Sequence, residues 1–128
     1  MAPKQAVQTE QAPQPFRGAP YSQAIVAGGF VFVSGQVGMR PAETAAVSGT
    51  VEQQTEQTFA NLRAILEAAG SSLEQLVKTT VYLRTLDDFP AMNEVYRRHV
   101  GDVPPTRATV EVGLPADFLV EIEAVALA

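Results

Sequence analysis

Two charged residues sit in apolar company near the end of the chain. Arg107 lies in Pro105-Thr106-Arg107-Ala108-Thr109-Val110-Glu111-Val112, and Glu121 in Leu119-Val120-Glu121-Ile122-Glu123-Ala124-Val125-Ala126. Both segments have the β-branched, alternating character of strands. Taking either charge out of water costs on the order of several kcal/mol unless a partner or a ligand compensates. A guanidinium presents a planar fork that matches a carboxylate through two parallel hydrogen bonds, and a carboxylate can hold a water and accept its proton. Together they point to a pocket for a small organic acid. A structural ion pair across strands is the other reading of the same two residues. Period-two counting puts Glu123 on the same strand face as Glu121, so spacing alone does not choose between them.

The remaining polar residues are less specific. Tyr21 reads equally as an amphipathic residue at the edge of a core, Ser34-Gly35 as a turn, and Asn93 as an exposed helix residue. His99, near a helix C-terminus, suits the helix dipole better than catalysis. It is the only histidine, and cysteine is absent, which excludes thiol nucleophiles, disulfides, thiolate metal sites and two-histidine acid–base schemes.

Those residues need a scaffold, and 128 residues allow one domain with a single core. Hydrophobic residues make up 46% and charged residues 18%, as in an ordinary globular protein. The net charge of −5 argues against a general nucleic-acid binder, although a local basic pocket remains compatible with it. Apolar runs such as Gly29-Phe30-Val31-Phe32-Val33 are too short to span a bilayer, and the N-terminus has no apolar stretch of signal-peptide type, so a cytoplasmic protein is expected.

Residues 1–15, rich in Pro, Gln and Ala and without a period, are expected to form a disordered tail, and residues 16–128 a single domain. Ile25-Val26 and Val31-Phe32-Val33 around Ala27-Gly28-Gly29-Phe30 predict a β-hairpin, and Arg40 to Gly49 a surface loop. Thr50 and Gln53 have capping-box spacing, Gly70 suits the position after a helix end, and Val51, Thr55, Phe59, Leu62, Leu66 and Ala69 mark one apolar face between them. Lys78 to Leu83 predicts a strand. Asp87 or Asp88 should cap a second helix with Pro90 in its first turn, an inner stripe of Phe89, Met92, Val95, Tyr96 and Val100, and Gly101 at its end. The order ββαβαββ predicts an α+β sandwich: a mixed sheet with two helices on one face. Val31-Phe32-Val33, Val81-Tyr82-Leu83 and Ala124 to Leu127 are apolar on both faces, so the face opposite the helices should be covered by another subunit.

Four short motifs then fall in order: Pro20-Tyr21-Ser22-Gln23, Ser34-Gly35-Gln36, Pro105-Thr106-Arg107 before Val110-Glu111-Val112, and Glu121-Ile122-Glu123-Ala124. Each alone is weak, but the set, spread from about Arg17 to the C-terminus, resembles the RidA/YjgF family of reactive-intermediate deaminases. The resemblance implies a chorismate-mutase-like fold with a six-stranded-type sheet, assembled as a homotrimer with active sites in the clefts between neighbours. It implies a hydrolase acting on C–N bonds other than peptide bonds, a 2-iminobutanoate/2-iminopropanoate deaminase. Such an enzyme turns 2-imino acids, formed from enamines released by pyridoxal-phosphate enzymes, into 2-keto acids and ammonia, without a metal or an organic cofactor. It gives Arg107 the role of holding the substrate carboxylate and Glu121 that of holding and activating the water. Tyr21 would line the pocket, and Ser34, Gly35 and Asn93 would support it. Thr109 would contact substrate where relatives often carry a cysteine, and Ala19 stands where a glycine commonly precedes Pro-Tyr-Ser-Gln. The competing readings are a non-catalytic small-ligand-binding or holdase-like trimer and, against the acidic balance, an endoribonuclease.

Overall fold

Gly28 and Gly29, both left-handed with φ of 59° and 84°, make the two-residue turn that sends the chain back on itself. They join β2 (Ala24–Ala27) to β3 (Phe30–Val37), with Ala27 opposite Phe30. The computed structural model describes residues 2–128. After β3 a loop leads to α1 (Val51–Ala68), where the Thr50 hydroxyl accepts the Gln53 N–H at 3.3 Å as the cap spacing requires. Gly70, at φ 81°, ends it, and the Ser71 N–H returns to the Leu66 carbonyl at 2.8 Å. Next come β4 (Leu76–Leu83), α2 (Phe89–Arg97), β5 (Thr106–Glu111) and β6 (Val120–Leu127).

The entry to α2 differs from expectation. Thr85, rather than Asp87 or Asp88, supplies the capping oxygen, taking the Asp87 N–H at 3.2 Å, and a 3-10 turn over Leu86–Asp88 precedes the helix. Asp88 occupies the N-cap position of α2, but its side chain makes no capping bond. The inner stripe holds at Met92, Val95, Tyr96 and Val100, while Phe89 stays 37% exposed.

The sheet has six strands in the order β1-β2-β3-β6-β4-β5, and only the β4–β5 pair is parallel. β6 runs antiparallel to both β3 and β4 and lies between them, so each helix connects two strands of the same direction. Both helices cover one face. Phe59, Leu62, Leu66 and Met92 pack there on Val31, Val81, Leu83, Val120 and Ile122, all essentially without solvent contact. The other face is uncovered in the single chain and carries Phe30, Phe32 and Leu127, which are 36%, 46% and 44% exposed. Among the described residues no helix is long and apolar enough to cross a membrane.

Residues 2–15 do not form the disordered tail expected of them; Met1, the remaining residue of that expectation, lies outside the described residues. Gln5–Val7 is an edge strand, β1, paired antiparallel with β2, and Ala12 is buried in the core. The reason is Gln23. Its buried side chain accepts the Thr9 N–H at 2.7 Å and donates to the carbonyls of Thr9, Ala12 and Pro13 at 3.1, 3.3 and 2.8 Å. A side chain outside the segment thus supplies the hydrogen bonds that a sequence without periodicity lacks.

Candidate functional site

The geometry around Glu121 begins with an irregularity in β3. Val33 pairs with Ala124 and Gln36 with Ile122, so Ser34 and Gly35 face one residue of β6 and form a bulge. The bulge brings Gly35 onto Glu121: a Cβ built on Gly35 would lie 2.7 Å from Glu121 Oε2. Only a residue without a side chain allows the carboxylate to lie against the strand in this way. Glu121 points away from the helices, because its neighbours Val120 and Ile122 are buried beneath them. It is half-buried, and that burial pushes its carboxyl above the ordinary carboxylate range, with a further push from the Glu123 charge. Glu123 is itself engaged, accepting the Tyr82 hydroxyl at 2.7 Å.

Glu121 lines a cavity of about 670 Å³ together with Gly35, Tyr21, Val37, Met39 and Phe118. One wall comes from residues 13–17 of the N-terminal segment that Gln23 anchors, and another from Pro115 and Ala116. Tyr21 fixes the first wall, since its hydroxyl accepts the Phe16 N–H at 2.8 Å. Ser34 acts behind the cavity: its hydroxyl donates to the Ser22 carbonyl at 2.6 Å and ties β3 to the segment that carries Tyr21.

Two residues that the sequence did not single out hold the second wall. Arg84 Nη2 donates to the carbonyls of Leu114, Pro115 and Ala116 at 2.8, 3.3 and 2.6 Å. Gln54, fully buried on α1, donates to the Ser48 and Asp117 carbonyls at 2.8 and 3.0 Å and accepts the Leu119 N–H at 2.8 Å. Gln54 was findable, since it falls on the apolar face of α1 beside Val51 and Thr58, where an amide must have partners. Arg84, at the end of β4, gave no signal of this kind.

Arg107 is elsewhere. It pairs with Thr79 in the β4–β5 register and faces the helices, as buried Thr79 does. Its guanidinium lies over the Tyr96 ring at 4.7 Å and the Phe89 ring at 5.4 Å, both on α2. Thr109, opposite Val81, shares that side of β5. Asn93 stands on α2 between the two aromatic residues, and its Oδ1 is buried without a hydrogen-bond partner. Among the described residues no carboxylate pairs with Arg107, and β4 separates its strand from that of Glu121. The cross-strand ion pair is therefore ruled out within the chain. Tyr21, Gly35 and Glu121 form one group on the open face, and Asn93, Arg107 and Thr109 form a second at the α2–β5 edge.

The first group can hold a water and take its proton in an apolar setting. The second offers an unpaired planar cation and an unsatisfied acceptor, the features that bind a carboxylate and a protonated nitrogen.

The chain is similar to known proteins over nearly its whole length. The family model described as Endoribonuclease L-PSP matches residues 9–128. A RutC family protein of Pyrococcus horikoshii is 49% identical over 124 residues, covering 96% of this chain and 97% of its own. The 2-iminobutanoate/2-iminopropanoate deaminase of Dermatophagoides farinae is 39% identical over 126 residues, covering 98% and 97%. Among solved structures, RidA from an Antarctic Psychrobacter superposes with a TM-score of 0.90 at 41% identity over 97% of this chain and 99% of that one. Escherichia coli TdcF with bound serine gives a TM-score of 0.88 at 36% identity, covering 97% and 98%.

Proposed function

Because the chain belongs to the Endoribonuclease L-PSP family, the family of the RidA and YjgF proteins, we propose that it hydrolyses reactive 2-imino acids to 2-keto acids and ammonia, the activity named for the Dermatophagoides relative. The observation that carries the reading is the Glu121 carboxyl, pressed on Gly35 in a largely apolar cavity and shifted toward a pKa suited to proton transfer. The two groups of residues are completed between chains. In a homotrimer the open sheet faces come together, and the Asn93–Arg107–Thr109 edge of one subunit closes the Glu121 cavity of the next. The serine held by TdcF is an amino acid of the size this cleft would take.

The reaction needs little beyond placement. A protonated 2-imine is already electrophilic at its carbon, so neither a covalent nucleophile nor a Lewis acid is required. Arg107 fixes the substrate carboxylate through its fork. Glu121 takes a proton from the water as its oxygen bonds to the imine carbon, giving a tetrahedral carbinolamine. The same carboxyl returns that proton to the nitrogen. The C–N bond then breaks with its electron pair leaving on nitrogen as the carbinolamine oxygen forms the C=O bond. Its hydroxyl proton passes through the Glu121 carboxylate to the departing ammonia, and the 2-keto acid and ammonium remain. The physiological service would be protection of pyridoxal-phosphate enzymes from the imines that they release.

The test is to generate 2-iminopropanoate in situ and follow its decay with wild type, Arg107→Lys and Glu121→Gln. Losing the fork of Arg107 should lower kcat/KM by about ten- to a hundredfold, in line with a charge-assisted contact of roughly 1.5–3 kcal/mol. Glu121→Gln should lower kcat with substrate binding largely kept. Folded variants as fast as wild type would refute the assignment. An RNA substrate belongs in the same series because the family carries an endoribonuclease name, and the net charge of −5 argues against cleavage.

A further inference from the structure

Among the described residues, Glu121 is one of two charged residues that line the cavity, and the other is Arg17. Its position is unusual. Phe16–Gly18 is a tight turn, closed by the Ala19 N–H on the Phe16 carbonyl at 3.0 Å, in which Arg17 has a φ of 53° and Gly18 one of 68°. Glycine or asparagine takes the left-handed conformation readily, and a long side chain rarely does. Such outliers concentrate where a side chain has a task at a site. The turn is also held in place: the Gly18 N–H donates to the Pro15 carbonyl at 3.1 Å, and the Phe16 N–H to the Tyr21 hydroxyl.

The guanidinium of Arg17 is exposed, rests over the Phe16 ring at 5.1 Å, and has no carboxylate partner among the described residues. In a chain of net charge −5 this is the cavity's only lining cation among those residues. The rest of the lining is mostly apolar, and about 670 Å³ is far more room than a three-carbon acid occupies.

We propose that Arg17 is a specificity-determining residue and that it selects 2-imino acids whose side chain ends in a second carboxylate. This rests on the imine-hydrolase reading above. The carboxylate beside the imine goes to Arg107 and the distal one to Arg17, with the intervening methylenes against Val37 and Phe118. A fork that is already unpaired and stacked on an aromatic ring loses little in meeting an anion. A substrate ending in a methyl group makes no use of it.

Two measurements test this with wild type, Arg17→Gln, Arg17→Lys and Arg17→Gly. The first is calorimetric binding of 2-oxoglutarate against 2-oxopentanoate, keto acids of equal chain length that differ in the distal carboxylate. The second is hydrolysis of the two corresponding imines generated in situ. Wild type should favour the dicarboxylic member about tenfold in both, as expected for one exposed charge-assisted contact. Arg17→Gln should abolish the preference, and Arg17→Lys should retain part of it. Arg17→Gly should abolish it too while raising the melting temperature by relieving the turn; a purely structural Arg17 would raise it with the preference intact. Equal binding of the two keto acids by wild type, or the same ratio in Arg17→Gln, overturns the proposal. Selective binding without hydrolysis of any imine would refute the deaminase reading and leave the role of Arg17 standing. Hydrolysis without selectivity would do the reverse.

Discussion

Glu121 carries a cost that can be measured independently of catalysis. Its carboxyl is raised in the folded protein, first by burial and then by Glu123, so between its unfolded and folded pKa values the native state binds more protons than the unfolded chain. Stability attributable to this group therefore falls as pH rises through that window, which begins at the ordinary carboxylate value of 4.5 and extends upward. Glu121→Gln removes the penalty. It should melt higher than wild type at neutral pH, with the difference shrinking as pH drops below the window, even as turnover is lost. Thermal melts across the acid range check this, and a variant that melts lower than wild type at neutral pH would mean that the carboxylate is favourably paired. Glu123→Gln should bring the acid limb of the activity profile down only part of the way, since burial is the larger cause.

At the level of elements, the N-terminal segment is the least expected part of the structure and one of the cavity walls. Deleting residues 1–14 removes β1, uncovers the core at Ala12 and strips the buried Gln23 amide of its backbone partners at Thr9, Ala12 and Pro13. Leaving such a group unsatisfied costs roughly 1–3 kcal/mol, so the truncated protein should unfold at lower denaturant and lose activity with the wall. Unchanged denaturation and turnover would show that the segment is dispensable. The same element shows what sequence reading reaches. Periodicity and caps located α1 within a residue or two, and apolar, β-branched runs located both hairpin strands and the three later strands, because each carries its signal within its own residues. β1 and the wall at residues 13–17 have no pattern of their own. They are ordered by Gln23 and Tyr21, whose partners cannot be read from spacing. The bulge at Ser34-Gly35 was equally hidden. The motif marked the residues, but only the register shift explains why glycine must stand against Glu121.

For the whole molecule the informative feature is the open sheet face. Phe30, Phe32 and Leu127 together make the apolar patch that monomers seldom leave in water. The trimer proposed above would cover it. Phe32→Glu puts a charge on that patch without touching the helix-side core, so light scattering should report the subunit mass for the variant and three times that mass for wild type. A wild-type monomer would remove the basis for a shared cleft. The placement of Arg107 and Glu121 on opposite faces of one sheet has a consequence for mixed populations. If every cleft draws one of the two residues from each neighbour, neither inactive variant is irretrievably dead. Refolding Arg107→Ala and Glu121→Gln chains together in equal amounts would rebuild clefts that hold both intact residues, about a quarter of the total for random cyclic assembly. Two silent proteins would then regain activity on mixing, whereas a site contained within one chain could never be repaired by its neighbour.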